Sequence, residues 1–153
     1  MTPPVLRPMR PGDVAGALEM RGRTRENAVG QDELAAVYGI TEASLRAQMS
    51  GSLFGWVAEA EGRIVGFAMG DTVTGAVGVV ALLPEWEGQG TGRALLRAVM
   101  DGLIAAGHRR LWLLANPDPS VRASGFYARQ GWRSTGEMQG EDVVLEWRVP
   151  DPA

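Results

Sequence analysis

Cysteine is absent from this chain of 153 residues, and histidine occurs once. Without cysteine the chain cannot form a disulfide framework, a thiolate metal site or a cysteine nucleophile, although the redox compartment stays open. No segment has the roughly 20 consecutive apolar residues that a membrane-spanning helix needs. Residues 1–10 have no apolar run, so we expect no secretory signal. These absences favour a cytoplasmic protein and predict neither a metal site nor a membrane partner.

The chain also lacks an excess of basic residues. It has 15 basic residues, all of them Arg, and 18 Asp and Glu residues, which gives a formal net charge of −3. Proteins that bind nucleic acid usually carry a basic excess, because they must neutralise phosphates. We therefore expect no nucleic-acid partner, and a cationic small molecule suits the charge better.

Short periodic segments separated by glycine and proline predict one α/β domain over residues 1–153, with helices on the faces of its sheet. Strands are predicted at 5–9, 54–60, 63–72, 75–83, 110–115, 132–138 and 142–149. Helices are predicted from 12 to about 25, at 31–38, at 41–49, after the glycines of residues 88–92, and at 121–130. Glu61 and Gly62 indicate a hairpin between the second and third strands.

The most informative stretch is residues 82–96, where Gly88, Gly90 and Gly92 alternate just before an amphipathic helix. Glycines let backbone N–H groups approach a ligand, and a helix N-terminus adds unpaired donors and a favourable dipole. The pattern predicts an anion site, although a plain turn into a helix is the alternative. A dinucleotide fingerprint fails because Arg93 stands at its third glycine, and a Walker loop lacks its Gly-Lys-Ser/Thr.

This stretch, taken as residues 79–96 together with Ala-Ser-Gly-Phe-Tyr-Ala-Arg-Gln-Gly-Trp at residues 123–132, resembles the acetyl-CoA site of the GNAT-type N-acetyltransferases. The resemblance implies a mixed, mostly antiparallel sheet flanked by helices. It also implies that the sheet splays open between the strand ending at Leu83 and the strand ending at Ala115, with coenzyme A in this wedge. The implied activity is transfer of an acetyl group from acetyl-CoA to a primary amine by direct attack.

The resemblance also assigns roles to individual residues. Backbone groups that would pair with the pantetheine arm belong to Val80, Ala81 and Leu82. The loop that would hold the pyrophosphate comprises Gly88, Gln89, Gly90, Thr91, Gly92 and Arg93. Asn116 corresponds to a polar contact with the cofactor, and Tyr127 to the hydroxyl that protonates the leaving thiolate.

In this family the first helices and the final strand pair line the acceptor pocket, which corresponds here to residues 21–38 and 138–142. An acid there could hold an ammonium group and remove its proton. Glu26 is our hypothesised base and Asp71 the second candidate, while the solvated face of a helix is the alternative for Glu26. Neighbouring arginines could instead bind the carboxylate of an amino acid acceptor. We assign His108, expected in a solvated loop, no catalytic role.

Three features depart from the family pattern. Glu87 stands beside the predicted pyrophosphate loop, where we expect it to point into solvent. Asn116 is further from Ala123 than in the usual motif, and residues 75–83 contain no acid. These departures motivate two alternatives: a non-catalytic acyl-CoA binding module and, less favoured, an unrelated nucleotide binder.

Family members often pair, so a homodimer is possible if the final strands form a sheet edge.

Overall fold

The computed structural model describes residues 2–24, 39–118 and 122–150. Its strands are β1 (Val5–Pro8), β2 (Leu53–Ala60), β3 (Arg63–Asp71), β4 (Ala76–Leu82), β5 (Arg110–Ala115), β6 (Arg133–Gln139) and β7 (Asp142–Arg148). Its α-helices are α1 (Val14–Arg21), α2 (Glu42–Met49), α3 (Thr91–Ala105) and α4 (Arg122–Arg129). The strands form one seven-stranded sheet in the order β1-β2-β3-β4-β5-β7-β6. Only the pair β4–β5 is parallel among the described strands, which confirms the predicted mixed, mostly antiparallel sheet.

The predicted elements agree with the structure except at some ends. Helix α1 ends at Arg21 rather than near residue 25, because Gly22 follows it and the Thr24 hydroxyl donates to the Arg21 carbonyl at 2.8 Å. Helix α2 begins as predicted after Thr41, whose hydroxyl accepts a hydrogen bond from the Ser44 N–H at 3.0 Å. The helix predicted at 31–38 lies outside the described residues.

Helix α3 is held close to β3 by glycines on the strand. Its buried face includes Leu95 and Val99. A Cβ atom built on Gly70 would lie 2.7 Å from the Val99 Cγ1 atom, and one built on Gly66 would lie 3.1 Å from Leu95 Cδ1. Neither strand position has room for a side chain, so the helix lies almost on the backbone of β3. This packing places the N-terminus of α3 just beyond the C-terminal end of β4.

Candidate functional site

A wedge separates β4 from β5. Within the described chain these strands pair at one position, Ala76 with Trp112, where the Trp112 N–H donates to the Gly75 carbonyl at 3.3 Å. On its other side β4 stays paired with β3 as far as Leu82, which lies opposite Gly66. The sheet therefore opens towards the C-terminal ends of β4 and β5, and the predicted splay is confirmed.

A β-bulge accounts for the parting of the strands. Met69 lies opposite Val79, whereas the next residue, Gly70, lies opposite Val77, so Gly78 is an extra residue on β4. A bulge bends the strand that carries it and increases its twist. Strand β4 thus turns away from β5 just beyond their shared pair. This bulge was not predicted, although a glycine inside an apolar strand was a usable signal.

The open edge of β4 presents backbone groups of two of the three predicted residues. The Leu83 N–H donates to the Val65 carbonyl at 2.9 Å, which is on the β3 side. Because backbone groups of successive strand residues point to opposite edges, those of Ala81 also face β3, while those of Leu82 and Val80 face the wedge. The prediction that Ala81 lends its backbone to the wedge is therefore wrong. A ligand with amide groups could add at this edge like a further strand.

The glycine loop joins β4 to α3 and leaves backbone donors at the helix start. Gly88 and Gly90 have left-handed φ angles of 80° and 85°, and a Cβ atom on either would meet nothing within 4 Å. The Ala94 N–H donates to the Gly90 carbonyl at 3.0 Å, and Gly90, the N-cap residue, has no side chain that could cap the helix. The N–H groups of residues 91–93 therefore have no carbonyl partner within the helix. Together with the helix dipole, they favour an anion.

The side chains around this loop differ in exposure. Thr91 is buried, whereas Gln89 and Arg93 are exposed, so the guanidinium of Arg93 stands at the first turn of α3. Glu87 is half-buried, so part of its side chain is shielded from the solvent into which we expect it to point. Trp86, in the short turn before the loop, is 2% exposed, and its indole N–H has no hydrogen-bond partner among the described residues. A buried donor without a partner costs free energy.

Helix α4 brings the second motif to the start of α3. A Cβ atom on Gly92 would lie 3.8 Å from the Phe126 ring, so the first turn of α3 packs against α4. Tyr127 is half-buried and packs edge-to-face on Phe126 and Trp132, with ring centroids 5.2 and 6.2 Å apart. Gly92 and Phe126 are 34 residues apart in sequence, so the two motifs meet in space.

Asn116 lies in the loop after β5 and accepts a hydrogen bond from within that loop. It is exposed, and its side-chain oxygen accepts a hydrogen bond from the Asp118 N–H at 2.9 Å. The Ser124 hydroxyl donates to the Asp118 carbonyl at 2.9 Å, which ties this loop to the start of α4. The observed contact of Asn116 is therefore with its own loop.

Neither acid candidate is seen at the wedge. Glu26 lies outside the described residues. Asp71 pairs with Ala76 at the far end of β4. The length of β4 from Ala76 to Leu82 places Asp71 about 20 Å from Leu82, at about 3.3 Å per strand residue. Burial raises the pKa of Asp71, but hydrogen bonds from the N–H groups of Val73 and Thr74 and from the Ser52 side chain lower it overall. The hypothesis that Asp71 faces the cleft is therefore wrong, since its carboxylate stabilises the β3–β4 turn.

The described part of the chain has no helix whose length and apolar character would suit a membrane span. It also contains no group of three or more His, Cys, Asp or Glu residues that could hold a metal ion.

Solved structures resemble the whole fold. The PaiA N-acetyltransferase from Thermoplasma acidophilum, in complex with coenzyme A, has a TM-score of 0.72 and 16% identity, and the match covers 97% of this chain and 100% of that one. The ribosomal-protein-S18-alanine N-acetyltransferase from Escherichia coli has a TM-score of 0.72 and 17% identity, covering 97% and 96%. At such identities the likeness shows the fold.

Sequence comparison identifies the family. The chain is 37% identical over 79 residues to uncharacterised N-acetyltransferases of Mycobacterium tuberculosis and Mycobacterium bovis, and the match covers 50% of this chain and 50% of each relative. A family model described as an acetyltransferase (GNAT) domain matches residues 52–134, more than half of the chain. This range runs from β2 into β6 and includes the wedge, the glycine loop and α4. The chain therefore belongs to the GNAT family of acetyltransferases.

Proposed function

We propose that this protein is an acetyl-CoA-dependent N-acetyltransferase that moves an acetyl group to a primary amine by direct attack. The observation that carries the proposal is the wedge beside β4 with an uncapped helix N-terminus at its open end. Pantetheine has amide groups that can pair with a strand edge, and a pyrophosphate needs converging N–H donors. Family membership and the coenzyme A bound to the Thermoplasma acidophilum relative support the same ligand.

The proposed cofactor contacts follow from this geometry. The N–H groups of residues 91–93 and the open backbone at Gly88 and Gly90 take the pyrophosphate, with the exposed Arg93 adding positive charge. Gln89 lies in the same exposed loop. The wedge-facing backbone of Leu82 and Val80 takes the pantetheine arm. The Leu82 N–H is also our candidate donor to the thioester oxygen, where negative charge develops.

The proposed reaction uses one tetrahedral intermediate and no acyl-enzyme. The neutral amine attacks the thioester carbonyl carbon, and a C–N bond forms while the carbonyl oxygen becomes an oxyanion. The intermediate collapses, the C–S bond breaks, and Tyr127 protonates the departing thiolate. A base takes the proton from the amine nitrogen. Glu26 stays the hypothesised base, because β4 carries no acid and Asp71 lies at the far end of the strand.

The partners and the location stay predictions. We propose a small-molecule or peptide amine as acceptor and the cytoplasm as the site of action. The Escherichia coli relative is named for an alanine of a ribosomal protein, which keeps a peptide N-terminus among the candidates. A homodimer through the sheet edge would involve β6, whose residues are all exposed. The register of β6 breaks between Ser134 and Met138, and such irregularities hinder edge-to-edge pairing.

Calorimetric titration with acetyl-CoA and coenzyme A, with NAD as control, tests the cofactor site. We expect micromolar binding of both thiol compounds and none of NAD. A second assay follows thiol release from acetyl-CoA over a panel of amines and peptides. Absence of binding would overturn the proposal. Binding without acetyl transfer to any acceptor would favour the non-catalytic module, an alternative that is motivated by the absence of an acidic residue from β4.

A further inference from the structure

The closed end of the wedge is held mainly by side chains. The sheet supplies one strand pair there, Ala76 with Trp112. The indole N–H of Trp112 reaches past this pair and donates to the Thr74 carbonyl at 3.0 Å. Trp112 thus contacts the β3–β4 turn with its side chain as well as with its backbone, whose N–H donates to the Gly75 carbonyl.

His108 holds the same turn from the loop between α3 and β5. Its Nε2 atom lies 2.6 Å from the Thr72 carbonyl oxygen. A carbonyl only accepts hydrogen bonds, so we assign the proton to Nε2. Gly75, with a φ of 76°, passes close to the ring: a Cβ atom there would lie 2.9 Å from His108 Nδ1. The prediction that His108 is simply solvated is therefore wrong.

The turn that receives these two bonds is itself well braced. The Asp71 carboxylate accepts hydrogen bonds from the Val73 and Thr74 N–H groups at 2.8 and 3.3 Å. The Thr72 N–H donates to the Ser52 carbonyl at 2.9 Å, and the Thr72 hydroxyl donates to it at 3.2 Å. The Thr72 and Thr74 carbonyls are thus presented from a segment tied to the neighbouring part of the sheet.

We propose that His108 and Trp112 are positioning residues that set the opening of the β4–β5 wedge. The inference rests on the proposed function, because it gives the wedge the pantetheine arm as its occupant. With a single strand pair, the two parts of the sheet can pivot about Ala76 and Trp112. The two side-chain bonds limit that movement before a ligand arrives, so less ordering is needed on binding. Their loss should therefore weaken coenzyme A binding more than it slows acetyl transfer.

The test measures coenzyme A affinity and steady-state kinetics in matched variants. His108→Leu and Trp112→Phe each remove one side-chain donor, whereas His108→Gln keeps an N–H close to the Nε2 position. Trp56→Phe is the control, since Trp56 is a half-buried tryptophan on β2. We expect each donor loss to raise the coenzyme A Kd and the acetyl-CoA KM about three- to tenfold, as for one hydrogen bond. The double variant should lose more, with kcat at saturation little changed, whereas His108→Gln and Trp56→Phe should bind like the wild type.

The outcomes separate this inference from the proposed function. Absence of coenzyme A binding by the wild type would overturn the proposed function itself. If the wild type binds coenzyme A and the double variant binds it with the same Kd, even though its Tm is lower, the positioning role alone would be overturned. If the variants fail to fold, hydrogen exchange of the wild type decides. We expect residues 72–75 and 108–112 to be protected before coenzyme A is added, and protection that arises only on binding would contradict the inference.

Discussion

The two parts of the sheet differ in burial and in support. Strands β1 to β4 pair continuously, and residues 65–70 of β3 are all buried beneath helices. Strands β5, β7 and β6 form the second part, in which all seven residues of β6 are exposed. The glycine loop belongs to the first part through α3, whereas Tyr127 comes from the helix that leads into β6. The candidate site therefore belongs to neither part alone, and its geometry depends on how the two parts are joined.

We expect the largest effect on activity from the substitution Tyr127→Phe, in the helix that leads into the second part of the sheet. This change removes the hydroxyl that we propose protonates the thiolate, and general acid catalysis contributes about 100-fold or more. We expect kcat to fall by about that factor while the coenzyme A Kd and the Tm stay near wild-type values. Steady-state kinetics, calorimetry and thermal unfolding provide the three measurements. An unchanged kcat would reduce Tyr127 to a packing partner of Phe126 and Trp132.

Gly90→Val tests the loop of the first part, with Gly62→Val as its matched control. Both glycines have positive φ, 85° and 76°, and open space at the Cβ position. Either substitution should cost about 1–2 kcal/mol of stability, because an L side chain is strained there. Only Gly90→Val should also hinder an anion at the start of α3, and we expect its coenzyme A Kd to rise about 30-fold, near 2 kcal/mol. Equal affinities of the two variants would show that the loop does not contact the cofactor.

The sequence predicted the individual helices and strands better than it predicted how the two parts of the sheet are joined. The hairpin at Glu61 and Gly62 and the helix after the glycine loop depend on local turn chemistry and periodicity, and both are observed. The bulge at Gly78 depends on pairing with another strand, which periodicity within β4 does not reveal. Likewise His108 reaches the Thr72 carbonyl only when the end of α3 meets the β3–β4 turn. Long-range contacts of this kind need the folded chain.

The smallest effect concerns an ion cluster in the first part, away from the wedge. Arg7 donates two hydrogen bonds to the Asp13 carboxylate, at 2.8 and 2.9 Å, and one to Glu59 at 2.9 Å. These residues line a cleft of about 340 Å³ beside α1. The hydrogen bonds from Arg7 outweigh burial and lower the pKa of Asp13 below its ordinary value. The cluster therefore stabilises the fold through the ionised form of Asp13.

A lowered pKa in the folded state fixes the sign of the pH dependence. The contribution of Asp13 is present above its unfolded pKa, near 3.9, and is lost as the pH falls through the lower folded value. We expect Asp13→Asn to lower the Tm by about 2–4 °C at pH 7, with the gap to wild type closing in the acid range. Glu42→Gln, which breaks an exposed pair with Arg46, should leave the Tm unchanged. A gap that persists at low pH would point to packing rather than charge. Because Asp13 lies beside α1 and away from the wedge, Asp13→Asn should also leave the coenzyme A Kd unchanged. A weaker Kd would show that the ion cluster affects the wedge through the first part of the sheet.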